Sequence, residues 1–500
     1  MRGANLVPAR TYRLLLLGAY ALLLVGGLAT AAVQPRHGGY AALAALLGER
    51  LPTGRTVRVM QIEGAMTSKD ERASGWAPDA GEDDLSAKRF LYPGPPSRHA
   101  TGVARQFYGP RSMSPGVSEV EAFPAPLWAH DTMGFLRTGT HHLPRFSSAR
   151  VANHSWVGGR NATDALEVLK RTDYVVERDD FFQVVGANNG PEVHKLLQCS
   201  YNAICVGRAA GRHSLGTLGL GEDVYVAGRA KPDIVAPARF TSIATPRVAS
   251  AAAMLLGFAH ESGGALSRGS YRSPRTGMTI YHAETSEVLK AALMAGADRG
   301  SVSGYRGDAR HRTENGLDLR YGAGELNVLN SYAILAGGEW NSTEDDGRGE
   351  VAPAAGFDYD PAFGGLDGAN ERATYRLEAP AGARHLKVCL AWNIRINGNA
   401  DRWNGRANLH DLDLKVYDLD HSQRLPVAES MSWVDNTENA WVEAEPGHRY
   451  AVHVLRARNQ QPFRGDYGLA WQFEGPGIVE SIIGHPTPAQ PASDPAGATE

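Results

Sequence analysis

From about residue 55 to residue 337, short apolar runs alternate with stretches whose apolar residues recur at helical spacing. That alternation predicts a parallel α/β sheet covered by helices on both faces, a three-layer domain spanning residues 52–337. The run TVRVMQIEG reads as a strand ending at Glu63 and Gly64, DALEVLKR as a helix, and DYVV and FFQVVGANNG as short buried strands, the second closing in a turn. After Ser242 a helix places Val248, Ala252, Leu255, Leu256 and Ala259 on one face, and TSEVLKAALMAGA repeats that pattern. The pattern breaks at GGEWNSTEDDGRGEVAPAAG, an acidic stretch bearing Gly and Pro that reads as a linker over 338–368. Beyond it the period becomes two. Leu386, Val388, Leu390 and Trp392 alternate with Lys387, Cys389 and Ala391, and DLDLKVYD, HRYAVHVL and DYGLAWQF follow suit, predicting an all-β sandwich over 369–475. Residues 476–500 hold too little apolar content to fold and read as a disordered tail.

The amino terminus changes where this protein is expected. Arg2, Arg10 and Arg13 flank or precede the uncharged run LLLLGAYALLLVGGLATAA, which ends in small residues, so 1–32 reads as a signal peptide and 33–51 as a short extension of an exported chain. An uncleaved anchor helix is the alternative, because the run approaches the roughly 20 residues a bilayer needs. With 51 Lys and Arg against 54 Asp and Glu, the net charge is −3, which gives no basic excess for nucleic acid or an anionic membrane surface. Three cysteines, Cys199, Cys205 and Cys389, are too few for a disulfide framework, and a local pair between Cys199 and Cys205 is left open. No segment has zinc-ligand spacing.

Candidate chemistry begins at KPDIVAPARFTSIATPRVASAAAMLL, where Ser242 stands between an apolar strand and an Ala-rich helix. A serine hydroxyl attacks a carbonyl only if a base takes its proton, a third group orients that base, and donors receive the oxyanion. The stretch resembles the nucleophile motif of the subtilisin-like serine peptidases, and the resemblance extends over roughly 52–337, as far as YGAGELNVLNSYAIL. It implies Ser242 as nucleophile at a helix start, with Pro246 tolerated in the first turn because it needs no donor there.

By the same resemblance SRHATGVARQFYG supplies His99 as the base, although Ala100 and Gly102 depart from the family pattern. VRVMQIEG places Glu63 where the family has an aspartate, while Asp70, Asp79, Asp83 and Asp84 are other acids in a polar loop nearby. VVGANNGP presents Asn188 as the side-chain oxyanion donor. VANHSWVGG implies that residues 155–158 (Ser155, Trp156, Val157 and Gly158) bind an extended peptide by strand addition, with Val157 inserted before the glycine.

The β region resembles the jelly-roll domain that follows some subtilases. There Asp411, Asp413 and Asp435 are candidate ligands for structural calcium, against the plainer reading of a solvated strand face. The chemistry itself requires no cofactor or catalytic metal. The expectation is therefore a monomeric, exported serine endopeptidase acting on polypeptides. A second reading, a subtilase-shaped binding module without useful catalysis, draws on the departures at Glu63, Ala100, Gly102 and Phe240.

Overall fold

The computed structural model describes residues 38–64, 75–130, 133–159, 161–222, 224–273, 276–305, 308, 310–346, 349–399, 402–458 and 460–485. The expected signal peptide, the tail beyond residue 485 and Asp70 lie outside these residues. The described residues form one compact unit.

Helix α1 (Tyr40–Leu47) precedes strand β1 (Val59–Glu63). Then follow β2 (Arg89–Phe90), α2 (Arg98–Phe107), β3 (Glu119–Pro124), α3 (Ala125–His130), β4 (Val151–His154), α4 (Ala162–Asp179), β5 (Phe182–Gly186), β6 (Ile204–Arg208), β7 (Ile234–Ala236) and α5 (Thr241–Glu261). The strands form one seven-stranded sheet in the order β2-β3-β1-β4-β5-β6-β7, parallel at every pairing. Such sheets are buried on both faces, which is why the strands read as continuous apolar runs. Val59, Val151, Phe182 and Ile204 join the core under α5, whereas Met60, Ile62, Ala152 and Val185 join a second core under α3 and α4. The predicted three-layer α/β fold is present. One predicted strand is not: Asp173, Tyr174, Val175 and Val176 of DYVV lie inside α4, an 18-residue helix whose apolar turn supplies the second core.

After the hairpin β8 (Ser270–Arg272) and β9 (Thr279–Tyr281) come α6 (Ser286–Ala295), α7 (Val328–Ala336) and α8 (Thr343–Asp346). The remainder, β10 (Val351–Ala352), β11 (Ala355–Phe363), β12 (Arg372–Glu378), β13 (His385–Ala391), β14 (Arg395–Asn399), β15 (Arg402–Asn408), β16 (Leu412–Asp418), β17 (Ala428–Ser430), β18 (Thr437–Glu443), β19 (Arg449–Arg456), β20 (Gly465–Glu474) and α9 (Ile478–Gly484), is almost all strand. A five-stranded sheet, β10-β12-β19-β16-β17, faces a four-stranded one, β11-β20-β13-β18. Between them Tyr375, Leu390, Leu414, Val452, Leu469 and Trp471 form a buried core.

The boundaries differ from the expected ones for a packing reason. Residues 338–368 are not a bare linker, because β11 lies within the sandwich and Ala355 and Phe357 are buried in the core of the α/β layer. Strand β13 has no solvent face: Cys389 and Ala391 turn toward the α/β core, and Lys387 Nζ donates to the Ala297 carbonyl at 3.2 Å. The backbone of β20 comes so near α6 that a Cβ on Gly468 would stand 2.5 Å from the Val288 nitrogen. At the chain's ends Leu43 and Leu47 of α1 and Ile483 of α9 are buried as well, so the extension and the first part of the expected tail belong to the core.

The junction is polar where it is not apolar. Asn393 donates to Ser286 Oγ at 2.9 Å, and Asp435 accepts from the Ala230 nitrogen at 3.0 Å and from Ser432 Oγ at 2.8 Å. Asp435 is thereby engaged in joining the layers. Among the described residues no three His, Cys, Asp or Glu side chains converge as a metal site, so Asp411, Asp413 and Asp435 do not come together as one. The Cys199 and Cys205 pairing left open above is not formed, and all three cysteines are buried free thiols. Helix α5 is the one described helix long and apolar enough to cross a membrane, and most of it is buried in the core.

Candidate active site

In an open parallel sheet, functional groups gather beyond the carboxyl ends of the strands. Glu63 ends β1, Ser155 follows β4, Asn188 and Asn189 follow β5, and Ser242 stands two residues into α5 beyond β7. The KPD segment helps to fix that last approach: Asp233 accepts from the Cys205 nitrogen at 2.6 Å and pairs with Lys231 at 2.8 Å, tying the entry to β7 onto β6.

His99 lies in the first turn of α2 rather than in a loop. Ser97 caps that helix, accepting from the Ala100 nitrogen at 3.0 Å. Its Nδ1 is 2.8 Å from Glu63 Oε2, the carboxylate being almost fully buried and the imidazole partly open. A carboxylate only accepts, so Nδ1 carries the proton and Nε2 is left as the basic nitrogen. The hydrogen bond that Nδ1 donates to Glu63 raises the His99 pKa above its ordinary value, against the effect of burial. Burial raises Glu63 too, and His99 draws it back down.

Sequence reasoning missed what holds Glu63. Gln61 Nε2 donates to Glu63 Oε1 and to the Ala100 carbonyl, both at 2.9 Å, and Tyr108 Oη donates to Gln61 Oε1 at 2.6 Å. The two acceptors beside Nε2 settle which way the amide points. The signal was available, because residues two apart on a strand share a face.

Ser242 rests on a second unforeseen arrangement. Pro246 is not in the first turn but inside the helix, four residues after Ser242, where its missing N–H leaves the Ser242 carbonyl without its helical donor. Ser155 Oγ supplies the replacement at 3.1 Å and in turn accepts from Asn153 Nδ2 at 3.0 Å. The N-cap residue Phe240 has no capping side chain, and Asn189 Oδ1 accepts from the Thr241 nitrogen at 2.8 Å instead. Among the described residues the Ser242 N–H has no partner, which leaves it able to serve an oxyanion. The Phe240 ring is exposed and lies against the Arg239 guanidinium. Helices α2 and α5, which carry His99 and Ser242, are joined by Arg247 Nε donating to Gln106 Oε1 at 3.0 Å.

The remaining candidates are placed less simply. Asn188 Nδ2 donates to the Glu192 carbonyl at 3.0 Å, which uses one of the two amide hydrogens and leaves the other. Gly158 exchanges both backbone hydrogen bonds with Leu196, at 3.0 and 3.1 Å, so that position is already paired within the chain. Trp156 is half-buried, its Nε1 donating to His154 Nδ1 at 3.3 Å, while Val157 is exposed. His154, buried and bonded to Gln183 at 2.8 Å, is pushed down to about 4 by burial and stays neutral. Ser242 Oγ and His99 Nε2 are not hydrogen-bonded to each other here. Such bonds are often long before substrate binds.

No protein-family model matches the chain, and no curated protein matches it. Among solved structures it is similar to the prenylagaramide maturation protease PagA, at 17% identity over 59% of this chain and 98% of that one, with a TM-score of 0.37. It is also similar to the patellamide maturation protease PatA, at 18% identity over 56% and 97%, with a TM-score of 0.34. The serine protease of Aeromonas sobria matches at 12% identity over 85% of this chain and 89% of that one, with a TM-score of 0.33. These likenesses are slight, and the chemistry rests on the site itself. The seven-stranded parallel sheet with its helices is the α/β fold that the sequence predicts, and Glu63, His99 and Ser242 stand at the end of β1, in the first turn of α2 and at the start of α5.

Proposed function

We propose that the protein is an exported, monomeric serine endopeptidase that cleaves polypeptides through an acyl-enzyme on Ser242. The observation that carries this reading is the Nδ1 contact between His99 and buried Glu63 at 2.8 Å, which orients the imidazole and leaves Nε2 basic. His99 Nε2 takes the Ser242 proton as Oγ attacks the peptide carbonyl. The oxyanion is received by the Ser242 N–H and by Asn188 Nδ2, a side-chain donor of a kind worth about 3 kcal/mol in the barrier. His99 then gives its proton to the departing amine, and the C–N bond breaks. Water, deprotonated by the same nitrogen, releases the acid and regenerates Ser242. Every proton has a carrier, so the reaction needs no cofactor. Ser155, Trp156 and Val157 form one wall for an extended substrate, whose strand addition ends where Gly158 is already paired.

A second reading, a binding module on the same fold, has support from the Gly158 pairing with Leu196 and from the missing contact between Ser242 and His99. Treatment with a fluorophosphonate followed by mass mapping separates the two. The endopeptidase reading expects one adduct on Ser242, lost in both Glu63→Ala and His99→Ala. A folded protein that takes no adduct is the outcome of the binding module.

A further inference from the structure

A cavity of about 460 Å³ opens between the α/β layer and the sandwich, walled by Arg299, Tyr305, Arg312 and Asp318 on one side and by Glu429 and Trp441 on the other. Its volume falls within the range of small-molecule sites. The Arg299 guanidinium lies 4.4 Å from the Trp441 ring centre and 5.1 Å from that of Tyr305, so aromatic rings flank it. Its hydrogen bonds are few and long, from Nε to the Ala323 carbonyl at 3.3 Å and from Nη2 to the Gly316 carbonyl at 3.4 Å. No carboxylate pairs with Arg299 or Arg312 among the described residues.

The acids on the same walls are already engaged. Glu429 is paired with Lys415 at 2.6 Å, and Asp318 Oδ1 accepts from the Arg320 and Tyr321 nitrogens at 2.8 and 2.9 Å. Two guanidiniums therefore line the cavity with no carboxylate in ion-pair contact, Asp318 and Glu474 adding only a longer-range attraction to Arg299. Arg299 is the one drawn out of water, and a desolvated cation is unfavourable unless an anion or hydrogen-bond acceptors offset the loss, whereas Arg312 stands at the surface beside it. A guanidinium fork pairs bidentately with oxyanions, and beside two aromatic rings the fitting one is a planar carboxylate carried on an apolar body. The Tyr305 hydroxyl, kept protonated by burial that pushes it up to about 12, is a further donor.

We propose that this cavity is a second binding site, taking a carboxylate joined to an apolar body, with the carboxylate held by Arg299 and Arg312 and the body against Trp441. The site does not depend on the peptidase reading. Two sources share the chemistry, the carboxyl terminus of a peptide and a free small carboxylate.

Calorimetric titration of the full-length Ser242→Ala protein, which cannot acylate, distinguishes them with three probes: N-acetyl-leucyl-phenylalanine, its carboxyl-terminal amide, and hydrocinnamate. At least one acid is expected to bind, with the amide about tenfold weaker or more, since losing a charge-assisted bidentate pair is worth at least that factor. Arg312→Gln and Arg299→Gln should each weaken the acid about tenfold. Arg312 is at the surface, so its variant keeps the test valid if Arg299→Gln fails to fold. Binding of the dipeptide alone identifies a peptide terminus, and binding of hydrocinnamate identifies a small carboxylate. Equal binding of acid and amide, full affinity in Arg312→Gln, or no heat from either acid at millimolar concentration overturns the proposal.

Discussion

The bond between Ser155 Oγ and the Ser242 carbonyl gives a sharp test of how the serine turn is held. Pro246 cannot donate to that carbonyl, and Ser155, itself buried, does so at 3.1 Å. A neutral hydrogen bond contributes about 1 kcal/mol net, and an orphaned buried carbonyl costs about 1–3 kcal/mol. Ser155→Ala should therefore lower the unfolding free energy by about 1–2 kcal/mol. Pro246→Ala restores an N–H four residues after Ser242, in register for the helical bond. In that background Ser155→Ala should cost about 1 kcal/mol less. Loss of the Asn153 contact to Ser155 occurs in both backgrounds and cancels. Urea denaturation of the four proteins, followed by circular dichroism at a common m-value, reads the coupling directly. Additivity within about 0.3–0.5 kcal/mol would refute the idea that Ser155 stands in for the amide that proline removes.

Four further outcomes are expected. Gln61→Leu, which strips the second donor from Glu63, should slow fluorophosphonate acylation of Ser242 about tenfold, and Tyr108→Phe about threefold; a purely structural role would lower the urea midpoint and leave the acylation rate of folded protein unchanged. Because Glu63 raises the His99 pKa and the base must be neutral to act, Glu63→Gln should move the acidic limb of the acylation profile to lower pH, while the plateau falls by about 10⁴. At the junction of the layers burial pushes Glu177 and Asp360 up to about 7 and Asp180 up to about 6, whereas unfolded carboxylates titrate near 4, so their contribution is full below about pH 4 and is lost as pH rises to about 7; Glu177→Gln and Asp360→Asn should flatten the fall of the urea midpoint across that window. Non-reducing alkylation should leave Cys199, Cys205 and Cys389 unmodified in the native protein and label all three after denaturation, since each thiol is buried and raised in pKa.

The layered part of the fold was legible because a parallel sheet writes itself locally: β1, β5 and the helix after Ser242 each carry their period within a dozen residues. The β region was legible as strands but not as a partner of the α/β layer. Cys389 and Ala391 alternate with large residues and suggest an open face, yet their smallness is what lets α6 press against the four-stranded sheet, with Gly468 permitting the nearest approach. The acids of 338–368 suggested a solvated linker for the same reason, that burial of Asp358 and Asp360 is a tertiary fact. DYVV failed on length alone. Four apolar residues fit a strand or one turn of a helix equally, and the surrounding 18 residues decide.

At the candidate site, residue types at motif spacing singled out Glu63, His99 and Ser242, of which the structure brings Glu63 and His99 into contact, but the groups that hold them were invisible because each is a contact across the chain. A glutamate in place of aspartate projects its carboxyl one methylene further and gains a torsion, so geometry alone does not fix which oxygen meets the imidazole. Gln61 removes that freedom by binding Oε1, and its remaining contacts to Ala100 and Tyr108 tie the amide to the helix that bears His99. The longer side chain and the glutamine two residues before it thus act as a unit, and the departure at position 63 becomes compatible with an oriented base.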